Sequence, residues 1–97
     1  MKIVFDIDGT ICEEHPTFEK CMASVIPGAL EMVNKCYDIG DTIIFYTGRG
    51  WAEYNMTKDW LDRNGFKYHQ LICGKPLYDI WYDDRSKIPN YLKNDIL

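Results

Sequence analysis

The stretch KIVFDIDGTI, residues 2–11, decides how this chain is read. Ile3, Val4 and Phe5 form a continuous apolar run of strand-forming residues, and the run ends directly in Asp6. Asp8 follows one residue later, and then Gly9 and Thr10 make a turn. Two carboxylates at the mouth of a buried strand are costly unless something pairs with them. The fold must therefore supply cations, a metal or hydrogen-bond donors at that point.

Working outward, four segments read as buried strands: Ile3–Asp6, Thr42–Tyr46, Gln70–Cys73 and Ile80–Tyr82. Each is short and nearly continuous in apolar character, as strands covered on both faces are. PGALEMVNKCYDIG, 27–40, predicts a helix, with Pro27 in its first turn, Gly40 past its end, and Leu30, Val33, Cys36 and Tyr37 at helical spacing. GRGWAEYNMTKDWLDRNG, 48–65, predicts a second helix with Tyr54, Trp60 and Leu61 on its core face and Gly65 as its stop. A last helix is expected over Pro89–Asn94. Strand, helix, strand, helix, strand, strand describes an α/β domain with a small, mainly parallel sheet. One join is awkward, because parallel strands need a crossover of a dozen or more residues and only GKPLYD separates the third strand from the fourth. The segment 11–26 reads equally well as a flap over the carboxylates or as an ordinary surface loop.

The composition narrows the function classes. With 97 residues the chain holds one domain, 1–97, and 46 % hydrophobic residues are enough for it to fold. A formal net charge of −4 disfavours nonspecific attachment to nucleic acid or anionic membrane. There is no signal-peptide pattern and no bilayer-length apolar run, so the expected setting is soluble and cytoplasmic. Cys12, Cys21, Cys36 and Cys73 make no Cys-x-x-Cys pair and read as free thiols. The residues six after them are Phe18, Pro27, Thr42 and Asp79, which excludes the usual cysteine-dependent phosphatase motif of Cys, five residues and Arg. His15 and His69 have no cysteine at ligand spacing and read as surface or flap residues.

In an open α/β sheet, ligands gather outside the carboxyl ends of the strands. Asp6 and Asp8, then Thr47-Gly48-Arg49-Gly50, then Gly74-Lys75, then Asp83-Asp84 all fall at such ends. The oxygen-rich set Asp6, Asp8, Asp83 and Asp84 suits a hard divalent cation, Mg²⁺. Thr47, the amides around Gly48 and Lys75 suit a bound phosphate. Taken singly, each motif is as easily a turn or a solvated loop. Together, in this order, they favour a metal-and-phosphate site.

In FDIDGT, FYTGRG, GKP and WYDD, the chain resembles the haloacid dehalogenase superfamily of phosphatases and phosphotransferases across residues 5–84. More narrowly, TKDWLDRNGFKYHQLICGKPLYDIWYDD resembles small phosphatases associated with capsule or polysaccharide genes. The resemblance implies a Rossmann-like three-layer α/β/α core without a cap domain. It implies Asp6 as the nucleophile that becomes an aspartyl phosphate, and Asp8 as general acid and base. Thr47 and Lys75 would hold the phosphoryl oxygens, and Asp83, assisted by Asp84, would hold Mg²⁺. With only seven residues between Lys75 and Asp83, the helix that usually follows the lysine motif has almost no room, which puts the place of Lys75 in question.

Arg49, Trp51 and Tyr54 are candidates to contact a sugar or base, although helix-start surface and core packing explain them more simply. The activity expected is hydrolysis of a phosphomonoester: a sugar phosphate, a nucleotide or a phosphorylated macromolecule. A homo-oligomer would help cover the open site. The rival reading is a phosphate- and Mg²⁺-binding regulatory module, or a phosphotransferase without hydrolytic turnover. Asp8 speaks against the module, because an acid and base is needed only for turnover. No glycine-rich loop followed by Lys and Ser/Thr is present, so the chain is not a P-loop nucleotidase.

Overall fold

The computed structural model describes residues 1–15 and 22–93. Three strands, β1 (Lys2–Phe5), β2 (Thr42–Tyr46) and β3 (Gln70–Ile72), form a parallel sheet in the order β1-β2-β3. Phe5 lies opposite Phe45, and Phe45 opposite Leu71, so one row of alternate residues crosses all three strands. All three side chains in that row are buried, together with Ile43 on the same face. The sheet and its helices make the Rossmann-like α/β core that the order of elements implied.

Helix α1 (Ala29–Asp38) starts two residues later than its proline suggested. Pro27 and Gly28 form the turn before it, with Gly28 in the left-handed region at φ 91°. Helix α2 (Tyr54–Arg63) follows a single 3-10 turn at Trp51–Glu53. Gly40 and Gly65, both at positive φ, lie just past the two helix ends. From α2, Trp60 packs on Phe66 at 5.7 Å between ring centroids, and Phe66 meets Phe45 edge-on at 5.8 Å. The Trp60 indole N–H donates to the Ala23 carbonyl at 2.9 Å, so the largest core side chain leaves no polar atom unpaired.

Three expectations need correction. Ile80–Tyr82 is not a strand: it has no ladder partner among the described residues, and all three side chains are exposed. Cys73 lies one residue beyond β3, although it is buried. In place of a helix at Pro89–Asn94 there is one 3-10 turn, Asn90–Leu92, while Asn94 lies outside the described residues. Pro89 is extended, and so short a segment cannot offset the cost of nucleating an α-helix.

The loop after Asp8 is built at its base like a narrow hairpin. Glu13 N–H donates to Ser24 O at 3.0 Å and Ile26 N–H to Ile11 O at 2.9 Å, with Ile11 and Cys12 fully buried beneath. Most of the remainder of the expected flap, 16–21, lies outside the described residues.

Candidate active site

Asp6 and Asp8 flank a fully buried residue, Ile7. Backbone beyond β1 still alternates, so the carboxylates on either side of Ile7 emerge together while Ile7 enters the core. The Ile7 carbonyl accepts from the N–H groups of Thr10 (3.0 Å), Ile11 (2.9 Å) and Cys12 (3.4 Å), which curls Asp-Gly-Thr into a tight turn. That turn fixes where Asp8 points. Both carboxylates line a hollow of about 420 Å³ with Glu14, His15, Gly48, Arg49 and Lys75.

Each carboxylate meets a cation brought by a different strand. Lys75 Nζ stands 3.1 Å from Asp6 Oδ1, and the same oxygen accepts the Ile7 N–H at 2.8 Å. Lys75 reaches this place without a helix, because its N–H donates to Thr47 O at 2.9 Å and the Gly74 N–H to Arg49 O at 2.9 Å. The two strand-end loops are thus zipped together beside the pocket.

Arg49 grips Asp8 with two parallel bonds, Nε to Oδ2 at 2.9 Å and a terminal nitrogen to Oδ1 at 2.8 Å. The other terminal nitrogen donates to Thr57 Oγ1 at 3.0 Å. The Arg49 side chain is fully buried and that of Asp8 is 23 % exposed. Burial pulls the guanidinium toward neutrality, but its bonds to Asp8 outweigh that and hold its pKa above the ordinary value. Beneath the fork, the Cys12 thiol is pushed up to about 12, first by burial and then by the charge of Asp8. Thr47 is fully buried, and its hydroxyl accepts the Arg49 N–H at 3.1 Å. Thr47 itself does not line the hollow.

Of the residues singled out from sequence, the structure gathers Asp6, Asp8, Gly48 and Lys75 in one pocket with Thr47 beneath. Asp83 and Asp84 are exposed and do not line it. Asp83 accepts the Arg85 N–H at 2.8 Å, which holds its carboxyl below the usual range. Trp51 and Tyr54 stack on each other at 5.8 Å, outside the pocket. Arg49 is a site residue that spacing alone did not reveal as a partner of Asp8. Two strand-end carboxylates with one nearby lysine left a charge unaccounted for, and Arg49 was the other cation at a strand end.

A divalent cation fits poorly here. Among the described residues no three His, Cys, Asp or Glu side chains converge on a common point. Asp6 is engaged by Lys75, and Asp8 by Arg49. A larger hollow of about 630 Å³ near the start of β3 is lined by Tyr37, Lys58, Asp62, Tyr68 and His69. It contains an ordinary helix-surface ion pair, Lys58 with Asp62 at 2.8 Å, and no paired carboxylates. The paired carboxylates and their cations line the smaller hollow.

Over residues 3–95 the sequence matches the family model described as PITM 1-3, LNS2 domain. The chain belongs to the LNS2 domain family. LNS2 domains have the haloacid dehalogenase-like phosphatase fold, and the superfamily resemblance in the motifs therefore stands. No curated protein matches significantly. A crystal structure from Vibrio cholerae is similar to this LNS2 chain, with TM-score 0.80 and 20 % identity, over 98 % of this chain and 89 % of that one. The structure of a Pnkp1/Rnl/Hen1 complex contains a chain similar to it, with TM-score 0.67 and 20 % identity, over 89 % of this chain but 30 % of the other. At such identities these two likenesses speak for the LNS2 fold alone. They do not bear on the narrower likeness to capsule-associated phosphatases.

Proposed function

We propose that this LNS2 domain hydrolyses a phosphomonoester through an aspartyl phosphate on Asp6. The supporting observation is the pairing at the carboxyl end of the sheet: two carboxylates one residue apart, in one pocket, each with a cation from a different strand end. A phosphate dianion entering this pocket would exchange contacts with Lys75 and the amides near Gly48. Asp6, released from Lys75, attacks phosphorus, and the ester P–O bond breaks as Asp8 gives its proton to the leaving oxygen. Water then attacks the acyl phosphate, Asp8 takes a proton from it, and inorganic phosphate leaves. No step of this proposal runs through Mg²⁺, and charge neutralisation falls to Lys75 and Arg49.

One observation favours the second reading, a phosphate-binding or phosphotransfer module with little turnover. Both oxygens of Asp8 are occupied by Arg49, and a proton on Asp8 must displace one of those bonds. Aryl phosphate hydrolysis, with Mg²⁺ and with chelator, separates the readings. Hydrolysis should fall to background in Asp6→Asn and by about 10²–10⁴-fold in Asp8→Asn, the usual worth of a positioned acid and base. A stable phosphoprotein without release of phosphate would overturn the hydrolase in favour of the module.

A further inference from the structure

The smaller hollow is charged where Asp6, Asp8, Arg49 and Lys75 line it, but one stretch of its wall is not. Pro76, Leu77 and Tyr78 follow Lys75 directly and supply its apolar side chains, while the rest of the described lining is Gly48 and polar or charged groups. Leu77 is 91 % exposed and Tyr78 50 %, so this wall is not part of the core. Adjacent apolar side chains left uncovered beside a charged cleft are a mark of a binding surface.

The wall is held in place by its neighbours. Leu77 Cδ2 lies 3.6 Å from where a Cβ on Gly48 would stand, so its isobutyl group sits close to the amides proposed to receive phosphate. Lys75 Nζ, 3.1 Å from Asp6 Oδ1, is also 5.7 Å from the centre of the Tyr78 ring. The ring therefore lies a short step beyond the cation that meets the phosphate. Tyr78 packs against Trp81 with ring centroids 4.9 Å apart, and Asp83 accepts from both the Trp81 indole at 3.3 Å and the Arg85 amide at 2.8 Å. Farther on, Tyr91 ties the chain back to the turn that aims Asp8, its hydroxyl donating to Thr10 O at 2.7 Å.

We propose that Leu77 and Tyr78 form a leaving-group subsite that selects small phosphomonoesters carrying a flat ring next to the ester oxygen. With phosphate against Lys75 and the amides near Gly48, the group esterified to it has to pass between these two side chains and solvent. A ring packs on Tyr78 and Leu77 and removes their apolar surface from water, whereas a short linear alcohol leaves the wall wet. A hollow of about 420 Å³ is of small-molecule size, and two side chains cannot cover the paired acyl chains of a lipid. The subsite rests on the phosphomonoester reading for the position of the phosphate, but its preference for a ring is expressed in binding as well as in turnover.

Benzyl phosphate and ethyl phosphate differ in the ring while their ester oxygens are similar in basicity, so the pair isolates the wall. The protein should hydrolyse benzyl phosphate with the higher kcat/KM. Tyr78→Ala should lower that value by about three- to tenfold, the worth of one aromatic contact, and leave ethyl phosphate unchanged. Tyr78→Phe should keep the preference, and circular dichroism should show all variants folded. An equal loss on both esters would mean that the ring acts only through Lys75, and would overturn the subsite while the phosphatase stands. Calorimetric titration with benzylphosphonate and ethylphosphonate, which are not hydrolysed, tests the wall without turnover. Tighter binding of benzylphosphonate, lost in Tyr78→Ala, together with no hydrolysis of either ester would sink the phosphatase and leave the subsite standing. No preference between the two phosphonates overturns the subsite.

Discussion

Arg49 carries more of the site than any residue except Asp6 and Asp8. Its guanidinium meets Asp8 twice and Thr57 once, with the whole side chain buried. Arg49→Ala would strip both of these bonds from a partly buried carboxylate, and urea denaturation should show a loss of about 3 kcal/mol, near the low end for breaking a buried pair. Arg49→Lys keeps the charge but cannot hold both Asp8 oxygens and reach Thr57 at once, so it should recover part of the stability and little of the activity. Asp6 and Asp8 were legible in the sequence because an apolar run leads straight into them and the other charged motifs also fall at strand ends. The partner of Asp8 was not, since the fork depends on β1 and β2 lying side by side, a fact no local spacing contains. Lys75 lies in the pocket despite the missing helix, because backbone bonds from Lys75 to Thr47 and from Gly74 to Arg49 do that helix's work.

Among the elements, β1, β2, β3 and both helices could be read from periodicity and from their glycine stops, with shifts of one or two residues at their ends except at the start of α2, which begins at Tyr54, six residues past position 48, after the 3-10 turn. Gly28 shows why the start of α1 moved. It needs the left-handed conformation at φ 91°, and a methyl group placed on it would come within 2.7 Å of Tyr91 Cβ. Gly28→Ala is therefore expected to cost at least about 1 kcal/mol from backbone strain alone, as measured by thermal melting. It should also loosen the contact that returns the chain to the body after residue 88, visible as faster amide exchange at Asn90–Leu92. The stretch Ile80–Tyr82 misled for an instructive reason. Its apolar character is that of a strand, but an apolar run becomes one only where a ladder partner lies within reach, and none does among the described residues. The short crossover was the warning.

For the molecule as a whole, the alkaline limb of stability should be unusually steep. Burial raises Cys12 to about 12, with Asp8 adding to it, and burial likewise raises Tyr68 and Tyr91 to about 12. Each group keeps its proton longer in the folded protein than in the unfolded chain. The unfolded state therefore gains by releasing protons first, and stability falls as pH rises from about 9 toward about 12. Melting temperatures across that interval should decline, and the decline should be shallower in Cys12→Ala. Among the described residues, β1 is hydrogen-bonded to β2 alone, and Val4 on it is 58 % exposed. A strand edge without a neighbour can template pairing with another chain, so the same edge that frames the pocket also bears on how far copies of the protein stay apart at high concentration.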